Sequence, residues 1–189
     1  DIELSGDITF TAGLLQINSG ADVTCTYNAG FRIESDAGLF INGGTFSTGN
    51  FSIDNDGLLQ IDNGTLNIGN SSGNGIVVMS SGTFDINGGT INIAGRLEVS
   101  GGIADFSGGT INLNTIGHSS STKGTLDLSL SADWNMTGGT LNIENPNGSG
   151  NYDILIRNSS GTKTFSGGTI NVGDGSAATY RITSQVPFP

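Results

Sequence analysis

The sequence predicts an all-β protein, folded as a right-handed parallel β-helix (solenoid) of about seven three-strand coils. Three observations lead to this prediction. Near copies of the unit GGT[IL]N[ILV] recur along the chain, apolar residues alternate with polar ones inside each repeat, and length varies mainly in one turn of the repeat. Alternation with period two is typical of strands that bury one side, and a recurring unit is typical of solenoids. The prediction treats residues 1–189 as one domain.

The first strand of each repeat ends just before the glycine pair. If the threonine after that pair is the reference position, an apolar residue stands four positions before it. The residues in this position are Ile41, Ile61, Ile86, Phe106, Met136 and Phe165. A second apolar column lies two positions further back, at Leu39, Leu59, Phe84, Ala104 and Trp134. We therefore expect these side chains, Trp134 included, to face the interior of the solenoid.

The second and third strands follow the same alternation. After the reference threonine, apolar residues stand one and three positions on, as in Leu66 and Ile68. Cys25 has the parity of an inward residue in the first coil, so we expect a buried thiol there. The third strand is assigned to the pairs Phe31/Ile33, Phe51/Ile53, Leu97/Val99, Leu126/Leu128, Ile154/Ile156 and Tyr180/Ile182.

The turn between the second and third strands carries the insertions. They are GNSSGNG (69–75), NTIGHSSSTKG (114–124), ENPNGSGNY (144–152) and GDGSAAT (173–179). A meander would allow any hairpin loop to vary, whereas coils stacked in register confine insertions to one edge. The glycine pairs then form the corners, and we expect a positive φ at Gly88 and Gly109.

Composition limits the classes of function. The net charge is −11 with only 6 basic residues, which argues against a nucleic-acid or anionic-membrane partner. One cysteine excludes a disulfide framework, and no apolar run approaches the ~20 residues that membrane insertion by a helix needs. No cofactor is expected. The chain begins at Asp1, and both ends fall near the same point of the repeat, so we expect a segment of a longer protein or fibre.

The recurring GGT[IL]N[ILV] unit resembles the parallel β-helix segments of secreted bacterial surface proteins. These include autotransporter-type passengers, haemagglutinin-type adhesins and exported solenoids of Bacteroidetes. The resemblance extends over almost the whole chain. It implies a secreted or cell-surface protein with a role in adhesion or surface structure. Because a solenoid is a scaffold used for many purposes, the resemblance is more specific for architecture than for function.

The leading hypothesis is therefore a non-catalytic extracellular structural or adhesive β-solenoid. One expected partner is a second copy of the chain, joined by end-to-end stacking into a fibre. The other is an extracellular glycan or protein that binds the inserted loops 114–124 and 144–152.

A second hypothesis is ice or crystalline-surface binding through an outward face of threonine and asparagine. The face is predicted because the reference threonine and the residue two positions on share an outward parity. Threonine also favours strands and stacked polar residues form stabilising ladders, so a purely structural explanation competes. Thr24 is assigned to the threonine column from its strand pattern alone. The candidate residues are Thr45, Thr65, Asn67, Thr90, Asn92, Thr110, Asn112, Thr140, Asn142, Thr169 and Asn171.

A third hypothesis is polysaccharide cleavage, which β-helix enzymes perform with clustered acids. Here Asp85 and Asp105 share one outward column, and His118 is the only histidine. The arginines of the third strands stand in separate coils, at Arg32, Arg96, Arg157 and Arg181. No catalytic or metal-binding set emerges from this pattern, and we expect the protein not to be an enzyme.

Overall fold

The computed structural model describes residues 2–26, 30–50, 52–71, 75–129, 131–157, 160–173, 175 and 178–185. Within these ranges the chain is all-β and forms a parallel β-solenoid of about 7 turns. The described residues contain no helix. None of them therefore forms a helix long and apolar enough to cross a membrane.

The described residues form nineteen strands of the solenoid, and all the pairings among them are parallel. Their bounds are β1 (Ile2–Leu4), β2 (Ile8–Asn18), β3 (Asp22–Cys25), β4 (Phe31–Thr48), β5 (Ile53–Asn55), β6 (Leu58–Ile68), β7 (Val77–Met79), β8 (Thr83–Ile86), β9 (Thr90–Ile93), β10 (Leu97–Val99), β11 (Ile103–Phe106), β12 (Thr110–Leu113), β13 (Leu126–Leu128), β14 (Asp133–Met136), β15 (Thr140–Ile143), β16 (Ile154–Ile156), β17 (Lys163–Phe165), β18 (Thr169–Val172) and β19 (Ile182–Ser184).

The strands stack into three faces because each one pairs with its counterpart in the next coil. Face 1 contains β8, β11, β14 and β17, face 2 contains β9, β12, β15 and β18, and face 3 contains β10, β13, β16 and β19. In the first coils the three faces are not formed by separate strands. Strand β4 runs through two corners and contributes to all three faces. Shifts of register mark the corners that these long strands pass.

The register expected for the first strands is confirmed. Ile86 pairs with Phe106, and Phe106 pairs with Met136. Their side chains are buried, as is that of Trp134. In face 2 the assignment of Thr24 to the threonine column is wrong. Asp22 pairs with Thr45 instead, because the first coil turns at Ser19 and Gly20 without a glycine pair.

Two third strands lie two residues away from their predicted positions. Ile53 pairs with Phe31, so the second inward position of that coil is Asn55 and not an apolar residue. Asn55 is buried and its side-chain amide donates to the carbonyl oxygen of Thr83 at 2.9 Å, which an apolar pattern cannot indicate. In the last coil Ile182 pairs with Ile154, and Tyr180 lies before the strand. Phe51 lies outside the described residues.

The core is a continuous column of aliphatic and aromatic side chains. Phe31 contacts Phe46 with ring centroids 4.9 Å apart, and it contacts Phe10 at 5.6 Å. Cys25 is buried as expected, and burial raises the pKa of its thiol to about 11. The thiol is therefore protonated and weakly nucleophilic at neutral pH.

The corner glycines are required for two different reasons. Gly109 has the expected positive φ of +79°. The same expectation for Gly88 is wrong, because its neighbour Gly89 adopts the positive φ, at +70°. A Cβ on Gly88 would instead lie 2.2 Å from the carbonyl oxygen of Asp62 in the adjacent coil. Close stacking of the coils thus excludes a side chain at Gly88.

Candidate functional site

The predicted Thr/Asn residues do lie together on face 2. Thr90 pairs with Thr65 and Thr110, and the same column continues through Thr140 to Thr169. Thr45 extends the column at its other end by pairing with Thr65. Neighbouring hydroxyls in such a column stand about 4.8 Å apart, as neighbouring strands do.

The asparagines of face 2 form a hydrogen-bonded ladder. Each side-chain amide donates to the asparagine of the preceding coil: Asn92 to Asn67 at 2.9 Å, Asn112 to Asn92 at 2.7 Å and Asn142 to Asn112 at 2.7 Å. Asn171 continues the series at 2.9 Å, and Asn67 begins it by donating to Ser47. The asparagine amides therefore hold the coils in register, and the threonine hydroxyls are the groups of this face that can contact a ligand.

Face 3 contains a site that the strand pattern did not predict. Glu98, Asp127 and Leu155 are neighbours on successive strands, with the outward parity of residues that a solenoid exposes. All three are nevertheless buried. Loop 114–124 lies over them, since the Gly124 amide donates to Asp127 and the Lys123 ammonium contacts Glu98.

Loops 114–124 and 144–152 are joined to each other through Asn147. The Nδ2 atom of this buried residue donates to the carbonyl oxygens of Ser120 at 2.9 Å, Lys123 at 3.1 Å and Tyr152 at 2.9 Å. Its Oδ1 atom accepts from the Ser120 amide at 2.9 Å, and also from the amide and hydroxyl of Ser149. We call the two joined loops the loop block.

A second connection lies at the start of the loop block. Asn114 donates to the carbonyl oxygens of Asn145 and Pro146, and Asn145 donates to the carbonyl oxygen of Asn114 at 2.7 Å. Asn114 has a φ of 58°, and it is the one described residue other than glycine with a positive φ. Asparagine tolerates this left-handed conformation better than most residues, which explains its presence at this turn.

Charged side chains are paired beneath the loop block. Glu98 accepts from Arg96 at 3.4 Å as well as from Lys123. Asp127 accepts from the Gly124 amide at 3.1 Å and from Arg157 at 3.4 Å, while its Oδ1 atom has no hydrogen-bond partner among the described residues. Burial is the main cause that raises the pKa of the Asp127 carboxyl.

His118 belongs to the inserted loop 114–124, and its side chain is buried within the loop block. Burial, followed by the charge of Arg96, lowers the pKa of its imidazole. Its Nε2 atom has no partner among the described residues. No group of three or more His, Cys, Asp or Glu side chains that could hold a metal ion occurs in the described part of the chain.

A concavity of about 370 Å³ opens on face 3 beside the loop block. Its lining includes Leu155 of β16, Arg157 just after β16, and Thr183 of β19. Thr122 and Tyr152 line it from the two loops. The concavity therefore combines apolar surface, hydroxyl groups and one guanidinium group.

The other acids singled out from the sequence are held by amides. Asp85 and Asp105 do pair across neighbouring coils. Asn87 donates to Asp85 at 3.1 Å, and Asn135 donates to Asp105 at 3.3 Å. Arg32 lies at the opposite end of face 3 and forms an ion pair with Asp56 at 2.9 Å.

No known protein family, curated protein or solved structure matches this chain.

Proposed function

We propose that the protein is a non-catalytic extracellular β-solenoid, structural or adhesive, that presents the loop block of face 3 to a binding partner. The observation that carries this proposal is the fixation of both long loops by the buried Asn147. A loop that is already ordered loses little conformational entropy on binding. Variable loops on a rigid scaffold are also the usual place for recognition.

Three further features support an extracellular role. The recurring unit resembles that of secreted bacterial surface solenoids. The polarity of the chain comes mostly from uncharged residues, since Asp, Glu, Lys and Arg make up 12% of it. Stacked coils with satisfied backbone hydrogen bonds give proteases few exposed strand segments to cleave.

The proposal is tested by removing the loop block. Residues 114–124 and 144–152 are each replaced by a short glycine turn, and binding is compared with that of the intact chain. The probes are neutral and acidic oligosaccharides, immobilised collagen and immobilised fibronectin. We expect at least one probe to bind the intact chain and to lose binding to the shortened variant. Binding that survives the replacement but is lost in a T90V/T110V variant would place the site on face 2.

We also propose that copies of the chain stack end to end. Among the described residues, β17, β18 and β19 each pair on one side only, and so do β1 and β2 at the other end. Open strand edges recruit further strands. Seven coils at about 4.8 Å each would give a repeat of roughly 34 Å. Electron microscopy should show fibres with this repeat, and particles that stay monomeric at high concentration in light scattering would contradict it.

The in-register threonine column favours a second candidate, binding of ice or another crystalline surface. Its hydroxyls are spaced regularly and lie on one face. Thermal hysteresis of the intact chain tests this candidate. A hysteresis that disappears in the T90V/T110V variant would support it, and no hysteresis at millimolar protein would exclude it.

A further inference from the structure

We propose that the concavity beside the loop block binds a sugar that carries a carboxylate, such as a uronic or sialic acid unit. This inference rests on the proposed function, because it assigns a ligand class to the same loop block. The concavity measures about 370 Å³, near the lower end of the roughly 300–1,000 Å³ typical of small-molecule pockets.

Arg157 provides the group that would bind the carboxylate. One terminal nitrogen of its guanidinium donates to the Thr122 carbonyl oxygen at 2.9 Å and to Asp127 at 3.4 Å. A guanidinium has five N–H donors, so three remain, and these have no acceptor among the described residues. The side chain is 36% exposed and borders the concavity. Two contacts through Nη2 fix the guanidinium, and a carboxylate can accept single charge-assisted hydrogen bonds from its Nη1 or Nε atoms.

The electrostatics of this region differ from those of the rest of the chain. The chain has a net charge of −11 and 6 basic residues. Four of these six lie in the loop block or in the coils next to it, at Arg96, Lys123, Arg157 and Arg181, whereas Arg32 lies at the other end of face 3. Four carboxylates accompany them: those of Glu98, Asp127 and Asp153 are buried, and that of Glu144 is half-buried. Arg181 is exposed, so this region presents cationic groups to solvent on an otherwise acidic protein.

The remaining lining suits a sugar ring. Leu155 contributes apolar lining, and Tyr152 contributes a half-buried aromatic ring with a polar hydroxyl. Ser121, Thr122 and Thr183 bring hydroxyl groups to the same concavity. A pyranose presents an apolar ring face and several hydroxyls, so it matches this lining, while its carboxylate matches Arg157.

The test compares matched pairs of sugars that differ in the carboxylate. The intact chain is titrated with sialyllactose against lactose, and with trigalacturonate against maltotriose, by isothermal calorimetry and amide NMR. We expect at least one acidic sugar to bind at least tenfold more tightly than its neutral partner, which is about 1.4 kcal/mol. Its shifted amides should belong to residues 119–123, 152–157 and 181–185. The two pairs distinguish a sialic acid from a uronic acid.

Variants separate the role of the guanidinium from a general effect of charge. R157Q should weaken the acidic sugar at least tenfold, and T183V should weaken both members of a pair. R32Q is the matched control, because Arg32 is an exposed arginine at the other end of face 3. It should leave affinity unchanged. If R157Q loosens the loop block, T183V and the shift map still decide the position of the site.

Three outcomes would overturn the inference. These are equal affinity for acidic and neutral sugars, unchanged affinity in both R157Q and T183V, or shifted amides outside the concavity. If other probes bind through the loop block while no acidic sugar does, this inference fails and the proposed function stands. If no probe depends on the loop block, both fail.

Discussion

Replacement of Asn147 by alanine should release the loop block while leaving the coils folded. The substitution removes every side-chain hydrogen bond that Asn147 makes to Ser120, Lys123, Tyr152 and Ser149. The backbone amide at this position still donates to Asp153. The change therefore acts on the connection between the two loops and not on the strands below them.

The size of the effect of N147A on the free energy of opening can be estimated from the lost hydrogen bonds. The two Nδ2 hydrogens are shared among three acceptors, so the bonds are worth less than their number suggests. A net hydrogen bond contributes about 0.5–1.5 kcal/mol, and buried groups left without partners add to the cost. We expect the free energy of opening of the loop block to fall by about 3 kcal/mol, near the upper end for single substitutions.

Trypsin cleavage after Lys123 measures this opening. When opening and closing are faster than cleavage, the cleavage rate follows the open population, so about 3 kcal/mol raises it roughly 100-fold. N151A is the control, because Asn151 makes one side-chain bond to the loop, to the Ser121 carbonyl oxygen at 3.0 Å. It should raise the rate less than about tenfold. Equal rates for N147A and the intact chain would refute the assigned role of Asn147.

Three further predictions concern the ladder, the corners and pH. N112D places a carboxylate where Asn112 donates to Asn92, so urea unfolding should show a loss of about 1–2 kcal/mol, and unchanged stability would contradict the ladder. G88A should lower the free energy of unfolding by at least about 2 kcal/mol, because its Cβ would overlap the backbone of the adjacent coil. The control G30A has open space around its Cβ and should unfold at a higher temperature than G88A. Equal melting temperatures of the two variants would contradict the corner assignment. Burial lowers the pKa of His118, so the unfolded chain binds the proton more readily and stability should fall as pH drops below about 6.5. H118Q should melt with a weaker dependence on pH between 7 and 5, and an identical dependence would contradict this.

The inward positions could be predicted because period two and the glycine pairs fix the register independently. Phe106 and Trp134 are buried where the alternation placed them. The prediction failed where a polar residue replaced an apolar one. Asn55 lies inside the solenoid because Thr83 of the next coil offers its carbonyl oxygen, and that partner is 28 residues away in sequence.

The loop block could not be predicted from the alternation. Outward parity indicates solvent for Glu98 and Asp127, and nothing in their own strands shows that a loop covers them. One local signal was present, since Leu155 stands at an outward position between Ile154 and Ile156. An apolar residue at such a position indicates a covered face. The role of Asn147 depends on the position of a loop from the neighbouring coil, which no local pattern contains.

Hydrogen exchange of the intact chain, read residue by residue, tests whether the loop block is a folded part of face 3 and so forms a surface ready to bind. We expect the amides of Ser120, Lys123 and Gly148, which donate within the loop block, to exchange slowly, as those of β13 and β16 do. Exchange of these amides at the rates of an unstructured peptide, with β13 and β16 still protected, would contradict it.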